Sequence, residues 1–180
     1  MVSLEMFSGC IVFVWSSTSV NLYSMNAEQG DGTAWRLRPA REGDFDAVAR
    51  LLSESELPTE GLRDQFGDSY VVAERGGSIV GAGGVEVYGP YGLLRSVAVS
   101  CELRGGQLGK ALVEDRMDWA SDRKLRAVYL LTTTATGFFE KLGFSAIDRQ
   151  AIPDEVKISC EFSGVCPESA VAMVLVVRGN

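Results

Sequence analysis

The sequence predicts one mixed α/β domain, on the strength of its length and the order of its apolar patterns. A chain of 180 residues with 46% hydrophobic residues is long enough to fill a single core. Strand-like alternation and helix-like spacing interchange along residues 34–178, with no internal repeat or low-complexity block. The predicted order is a strand, two helices, three strands, a helix, a strand, a helix and further strands.

The first predicted elements are a strand and two helices. Residues 35–38 alternate apolar and charged side chains, which is typical of a half-buried strand. Asp44 stands where it can cap the next helix. The apolar face of that helix, at helical spacing, carries Phe45, Val48, Leu51 and Leu52. Leu62 and Phe66 lie four residues apart and predict a second, short helix over residues 59–66.

A hairpin and another strand follow. Residues 70–73 and 79–82 are apolar and flank a Gly-Gly pair, which readily adopts the positive φ angles of a tight two-residue turn. The second of these strands continues to a Gly-Pro turn at residues 89–90. Residues 93–100 then form the next strand.

The second half of the domain begins with a long helix that starts near Gly106. Residues 127–131 form a nearly continuous apolar run, as expected for a strand covered on both faces. A short amphipathic helix follows, and Gly143 ends it at the position after its C-cap. Residues 170–177 are the last apolar strand.

The composition excludes several classes of protein. Seventeen basic against 24 acidic residues give a net charge of −7, which argues against a general nucleic-acid binder. The absence of histidine excludes Ser-His-Asp and Cys-His machinery and imidazole zinc sites. None of the four cysteines forms a CxxC pair, so we predict no resident metal. Cys160 and Cys166 either bind a soft ion such as trivalent arsenic across a turn, or are free thiols in a reducing cytoplasm, where we place the protein.

Residues 1–33 are predicted to be a poorly ordered extension before a domain that spans residues 34–180. The apolar run at residues 10–15 is far shorter than the ~20 residues of a membrane span. A signal peptide would require basic residues before this run, and none is present there. We therefore expect no membrane segment, and Met25 is a second candidate start of translation.

The segment that carries chemistry is residues 97–110, which contains the end of a strand, a glycine-bearing turn and the first turn of a helix. Such a turn can direct several backbone N–H groups at one point, and the helix N-terminus adds partial positive charge. This arrangement binds phosphate or pyrophosphate, with Arg104 and Lys110 adding charge at the rim.

This segment resembles the acetyl-CoA signature of the GNAT N-acetyltransferases, roughly [QR]-x-x-G-x-[GA] after a strand that ends in V-A-V. The matching, cofactor-binding residues are Val97, Ala98, Val99, Arg104, Gly105, Gly106, Gln107, Leu108, Gly109 and Lys110. The resemblance implies that the backbone N–H groups of Val97 and Val99 hold the thioester and pantetheine of acetyl-CoA. Gln107 replaces the usual central glycine, and a side chain there would narrow the turn, so weaker cofactor binding is expected.

Residues 136–144 resemble the family's A-x-x-F-Y-E-K-x-G-F helix and turn. In many relatives the tyrosine of this motif protonates the departing CoA thiolate. Phe139 occupies that position here, so water or another hydroxyl takes this role, or the thiolate leaves unassisted.

Within the family, the chain looks most like the arsenic-resistance N-acetyltransferases and the acetyltransferase domain of N-acetylglutamate synthases. The segments that carry this likeness are residues 57–62, 84–89, 93–99, 131–134 and 161–167. The resemblance spans residues 36–173. It implies a GNAT fold, with a central mixed, mostly antiparallel sheet, a splayed parallel strand pair and about four flanking helices. Many such relatives dimerise, and we expect the last apolar strand to be available for pairing across a homodimer interface.

The expected reaction is direct attack of a neutral amine on the thioester of acetyl-CoA. Glu86 is the candidate general base, because a free α-ammonium titrates near ~8 and a carboxylate acting directly or through water suffices. An ordinary exposed strand carboxylate is the alternative. Arg95 either pairs with a substrate carboxylate in a bidentate fork or makes a structural ion pair. Tyr88, Thr132 and Thr133 are candidates for hydrogen bonds to substrate.

These observations lead to one leading hypothesis and two rivals. The leading hypothesis is an acetyl-CoA-dependent N-acetyltransferase acting on a small amino-acid-like amine, either glutamate-like or an arsenic- or phosphorus-containing analogue. One rival is a biosynthetic enzyme like N-acetylglutamate synthase. The other is a non-catalytic acetyl-CoA-binding sensor, favoured by Gln107 and Phe139.

Overall fold

A computed structural model describes residues 34–162 and 164–177. The predicted extension over residues 1–33 lies outside them. The strands are β1 Arg36–Pro39, β2 Tyr70–Arg75, β3 Ser78–Tyr88, β4 Tyr91–Val99, β5 Ala127–Thr132, β6 Ser145–Ile147 and β7 Val171–Val176. The helices are α1 Phe45–Glu54, α2 Leu108–Asp122, α3 Thr136–Lys141 and α4 Asp154–Lys157. None of the helices in these ranges is long and apolar enough to cross a membrane.

The strands form one mixed sheet in the order β1-β2-β3-β4-β5-β7-β6. Strands β1 to β4 pair as an antiparallel meander, and β7 pairs antiparallel with both β5 and β6. The one parallel pair in the described chain is β4 with β5. The predicted mixed, mostly antiparallel sheet with about four helices is confirmed.

Strands β4 and β5 pair only at their first residues and then separate. The last paired positions are Leu93 and Tyr129. Beyond them, β4 contains a bulge against β3. Arg95 pairs with Gly84 and Ala98 pairs with Ala82, so β4 has one more residue than β3 between the two pairs. Ser96, which lies in this bulge, has φ of +58°. The predicted splayed parallel pair is therefore present, and it opens a cleft in the middle of the sheet.

The two long helices cover opposite faces of the sheet. Alternate residues of β2 point to opposite sides, so Tyr70 packs with the α1 residues Val48 and Leu52, whereas Val71 packs with Leu108 and Leu112 of α2. Every one of these six side chains is at least 99% buried. The predicted apolar face of α1 is thus confirmed.

Two expectations drawn from local sequence are wrong. Residues 59–66 form turns rather than a helix, because Gly61 has φ of +70° and its neighbours make i→i+3 bonds, Leu62 N to Thr59 O at 3.2 Å and Asp64 N to Gly61 O at 3.1 Å. The last strand is also not an edge strand, because β7 is paired on both sides. It is therefore not the strand that a homodimer would extend.

Candidate active site

The separation of β4 and β5 creates a cleft of about 530 Å³. One wall is the second half of β4, where Val97, Ala98 and Val99 line the opening. The other wall is the end of β5 together with the segment that leads into α3, which includes Thr132 and Thr133. The segment before β7 closes one side of the cleft. The splay therefore gives the cleft both an exposed backbone edge and an enclosed interior.

The glycine-bearing turn lies between β4 and α2. Gly105 has φ of +78°, which a side chain would disfavour, so this is the position in the turn that requires glycine. Gln107 has φ of −83° and ψ of −11°, ordinary right-handed helical values that need no glycine. The predicted narrowing of the turn by Gln107 therefore depends on its side chain alone and stays a prediction.

The first turn of α2 supplies the expected backbone donors, because the first four N–H groups of a helix have no partner inside it. The side chain of Leu108 is buried in the core, so only its backbone can serve the cleft. Lys110 lies 3.5 Å from Glu114 across an exposed turn of α2. Arg104 donates from Nε to Val99 O at 3.0 Å and from Nη2 to Ser55 Oγ at 3.1 Å, which holds it at the cleft rim.

A buried charge cluster, Glu86, Arg95 and Glu161, lies at the inner side of the cleft. Arg95 Nη1 donates to Glu86 Oε1 at 2.8 Å, and Arg95 Nε lies 3.2 Å from Glu161 Oε1. The side chains of Glu86, Arg95 and Glu161 are 3%, 2% and 9% exposed. Burial alone would lower the pKa of Arg95, but the neighbouring negative charges outweigh it and the pKa is raised.

Neutral donors surround this cluster. Tyr88 donates to Glu86 Oε2 at 2.7 Å and Ser159 donates to the same oxygen at 3.3 Å. The Cys166 thiol donates to Glu161 Oε2 at 2.7 Å. Burial, and secondarily this bond, raises the pKa of the Cys166 thiol to about 12, so it stays protonated at neutral pH. Burial likewise raises the pKa of Tyr88, which keeps its phenol as a donor.

The α3 side of the cleft is aromatic. Phe138 and Phe139 pack edge to face with centroids 5.0 Å apart, and both line the cleft. Phe139 is 8% exposed and packs on Phe144, so its side chain belongs to the hydrophobic core and also forms part of the cleft wall. Thr132 Oγ1 accepts from Ala135 N at 3.0 Å, which fixes the turn into α3.

Seven of the fifteen predicted site residues line this cleft, and residues 105–110 are not among its lining residues. Arg95, the V-A-V triplet, Arg104, Thr132 and Thr133 line it, whereas the buried Glu86 accepts a hydrogen bond from the half-buried Tyr88 next to Arg95. The two interpretations of Arg95 stay open, although its contacts are those of the ion pair. Sequence reasoning assigned no role to Glu161 or Ser96, and it considered Cys166 only as a soft-ion ligand or a free thiol. The signal that was available is the segment 161–167, which carried part of the family resemblance but no assigned role.

A cleft between splayed strands, with a glycine turn and a helix N-terminus at one end, is the site of a CoA-dependent acyltransferase. The chain matches the Acetyltransferase (GNAT) family over residues 34–144, more than half of its length, and it belongs to that family.

Named relatives agree with this assignment. The chain is 35% identical over 131 residues to an amino-acid acetyltransferase of Mycobacterium tuberculosis, covering 67% of this chain and 74% of the relative. It is 29% identical over 136 residues to an uncharacterised N-acetyltransferase of Chlorobaculum tepidum, covering 69% of this chain and 84% of the relative.

Solved structures show the same fold. Rv2747 of Mycobacterium tuberculosis, whose structure was determined with CoA, is 27% identical to this chain, with a TM-score of 0.67. The match covers 79% of this chain and 99% of the Rv2747 chain. N-acetylglutamate synthase of Neisseria gonorrhoeae, determined with coenzyme A and N-acetyl-glutamate, has a TM-score of 0.68 at 19% identity. It covers 81% of this chain, but this chain spans only 35% of the synthase.

The family makes this chain an acyltransferase with acetyl-CoA as cosubstrate. Its own residues fit that cosubstrate. The positive φ of Gly105 and the unpaired N–H groups of the first turn of α2 suit a pyrophosphate, and the open edge of β4 suits the amide-bearing pantetheine arm.

Proposed function

We propose that this protein transfers an acetyl group from acetyl-CoA to the amine of a small amino-acid-like substrate. The acceptor is glutamate-like or an arsenic- or phosphorus-containing analogue of such an acid. The observation that carries the proposal is the cleft itself, which joins the open edge of β4, where we propose that CoA binds, to a buried carboxylate cluster. The amino-acid acetyltransferase among its relatives supports an amino-acid acceptor.

The reaction requires an amine without its proton. The amine nitrogen attacks the thioester carbon, the C–N bond forms and the C–S bond to CoA breaks. Glu86 is the carboxylate proposed to promote this deprotonation. Both of its oxygens already accept hydrogen bonds and its side chain is 3% exposed, so it acts through a bridging group rather than by direct contact. Backbone N–H groups of Val97 and Val99 are proposed to hold the thioester arm, and Thr132, Thr133 and Tyr88 to assist binding.

The carboxylate of a glutamate-like acceptor needs a cation in the cleft. Arg95 lines it, but its Nη1 is held by Glu86 and its Nη2 donates to Glu60 O at 2.6 Å. An acceptor carboxylate at Arg95 would therefore compete with one of these contacts. We propose that this competition, together with the size of the cleft, selects small acceptors.

The test is release of free CoA thiol from acetyl-CoA by the purified protein. The panel contains glutamate, its phosphinate and arsonate analogues, other amino acids and a peptide. We expect amine-dependent release, and the best substrate decides between a detoxifying and a biosynthetic role. If no compound in the panel causes release of CoA thiol, while calorimetry shows tight acetyl-CoA binding, the result would instead favour the non-catalytic sensor. Phe139 at the usual tyrosine position is the observation that supports this alternative.

The role of Glu86 has its own test. We expect Glu86→Gln to lose most of the activity while folding and acetyl-CoA binding stay intact. Full activity in this variant would remove Glu86 from the mechanism.

A further inference from the structure

We propose that Glu161 is the carboxylate that contacts the acceptor amine and takes its proton, while Glu86 acts indirectly by holding Arg95. This inference rests on the proposed acetyltransferase function and assigns the direct proton acceptor within it. It is argued from access to the cleft, from the charge of the cluster and from the hydrogen bonds of each carboxylate.

Access to the cleft distinguishes the two carboxylates. Glu161 lies among the residues that line the cleft, as does Arg95, whereas Glu86 is not among the described lining residues. The side chain of Glu161 retains 9% exposure against 3% for Glu86. A proton acceptor must come within hydrogen-bond reach of the amine, directly or through one water. Glu161, which lines the cleft and is the more exposed of the two, meets this requirement more readily than Glu86.

The charge of the cluster leaves room for one proton. Arg95 carries one positive charge between two carboxylates, so the cluster has an excess of one negative charge when both are ionised. Two carboxylates that share one cation repel each other, and uptake of a proton by one of them relieves that repulsion. The ammonium group of the acceptor can supply this proton.

The hydrogen bonds indicate which carboxylate takes that proton. Both oxygens of Glu86 accept hydrogen bonds, from Arg95 at 2.8 Å and from Tyr88 at 2.7 Å, so an incoming amine would have to displace one of these partners. Glu161 has a weaker set of partners. Arg95 Nε approaches it at 3.2 Å without hydrogen-bond geometry, and its other oxygen accepts from the Cys166 thiol.

The resulting step balances in atoms and charge. The acceptor ammonium gives one proton to a Glu161 oxygen, and the neutral nitrogen attacks the thioester carbon. The C–N bond forms as the C–S bond breaks. The proton that the nitrogen then sheds goes to the departing CoA sulfur. The products are the N-acetylated acceptor, CoA thiol and protonated Glu161, which returns its proton to water.

The experiment compares Glu161→Gln with Glu86→Gln as the matched control. Both substitutions remove one buried carboxylate beside Arg95 and keep the side-chain volume. We would measure kcat and kcat/KM for the best amine of the panel from about pH 6 to about pH 10, spanning the ~8 at which a free α-ammonium titrates. Circular dichroism and acetyl-CoA calorimetry check that both variants fold and bind.

We expect Glu161→Gln to lose roughly 10²- to 10⁴-fold in kcat near neutral pH, the usual contribution of a general base. Its rate should recover as the pH rises and the amine deprotonates in solution, because such an amine no longer needs a proton acceptor. We expect Glu86→Gln to be impaired without this recovery, since it disturbs the position of Arg95 instead.

Three results would overturn the assignment. These are wild-type kcat in Glu161→Gln, recovery at high pH in Glu86→Gln but not in Glu161→Gln, and loss at every pH in both variants. If Glu161→Gln does not fold, Glu161→Asp keeps the charge but shortens its reach. We expect it to lower kcat while leaving acetyl-CoA binding unchanged, and an unchanged kcat would refute the proposal. A wild-type protein that acetylates nothing would remove the proposed function, and this inference with it.

Discussion

The contact between Gly84 and Tyr70 makes the sharpest prediction about the fold beneath the site. A Cβ placed on Gly84 would lie 2.4 to 2.6 Å from three carbons of the Tyr70 ring, far inside van der Waals contact. The ring cannot move freely, because Tyr70 is fully buried and packs against Phe66 at a centroid distance of 5.2 Å. We therefore expect Gly84→Ala to be strongly destabilising.

The magnitude follows from two costs. Forcing an extra methyl into a packed core costs about 1–3 kcal/mol. Displacing the ring also breaks the contact of its hydroxyl with Ser96 Oγ at 3.4 Å, a buried bond of about 1 kcal/mol. The sum is about 3 kcal/mol, which lowers the Tm of a domain of this size by roughly 6–12 °C.

Gly83 provides a matched control on the same strand. A Cβ there would meet its nearest atoms, on Val97 and Leu112, at 3.7 and 3.8 Å, which is ordinary contact. Gly83→Ala should therefore stay within about 0.5 kcal/mol of wild type, or gain up to about 1 kcal/mol because alanine restricts the unfolded chain. The assay is urea unfolding of both variants.

Two outcomes would refute this reasoning. One is a Gly84→Ala protein within about 1 kcal/mol of Gly83→Ala, since the overlap would then cost less than one extra core methyl. The other comes from the Tyr70→Ala background. There the ring is absent, so Gly84→Ala should be neutral or stabilising, and an undiminished cost would place the strain elsewhere.

Further predictions concern the turn, the thiol and acid stability. Gly105→Ala should weaken acetyl-CoA binding and lower the free energy of unfolding by about 1 kcal/mol, because φ of +78° disfavours a side chain. Calorimetry measures the binding and urea unfolding the stability. Unchanged acetyl-CoA binding would contradict this prediction. Cys166→Ala should lower kcat by about two- to tenfold and Cys166→Ser should not, because only serine keeps a donor to Glu161; equal rates would count against this bond. The hydrogen bond from Arg38 holds the pKa of Asp44 below its ordinary 3.8, so its contribution to stability is present above that pH and lost as the pH falls through the lowered pKa. Asp44→Asn should therefore be destabilised in urea at about pH 7, with its difference from wild type shrinking as the pH falls below 3.8, and a difference that does not depend on pH would contradict this.

Local sequence patterns predicted the elements whose geometry is decided by neighbouring residues. The Gly-Gly turn gave the β2–β3 hairpin, where Gly76 and Gly77 have φ of +56° and +82°. The apolar spacing of α1 and the run in β5 were likewise sufficient. The helix expected over residues 59–66 was predicted from the helical spacing of Leu62 and Phe66. In the structure Gly61 has a positive φ, and Cys160 and Arg95 approach it so closely that a side chain there would meet them. That approach is a tertiary contact with no local signature.

Of the two ion pairs in the charge cluster, the pair of Glu86 and Arg95 could be predicted from the sequence, and the pair of Arg95 and Glu161 could not. The turn at residues 89–90 pairs Tyr88 with Tyr91, so the register places Arg95 opposite Gly84 and diagonal to Glu86 on the same face. The ion pair of Glu86 and Arg95 therefore follows from the hairpin. Glu161 lies 66 residues beyond Arg95, and only the return of the chain before β7 brings the two together. No periodicity in the sequence encodes that return.

One irregularity of β4 links the two halves of the proposed reaction. Up to Leu93 the strand pairs with β5, and from there to Val99 the described chain offers no strand partner on that side. The same divergence frees a backbone edge for the thioester arm and opens the cleft onto Arg95 and Glu161. The bulge at Ser96 lies between these two regions, and the Tyr70 hydroxyl contacts it from below. Ser96 therefore lies between the strand edge proposed to hold the thioester arm and Glu161, the proposed proton acceptor, so the proposed reaction requires the thioester and the amine to meet close to this bulge.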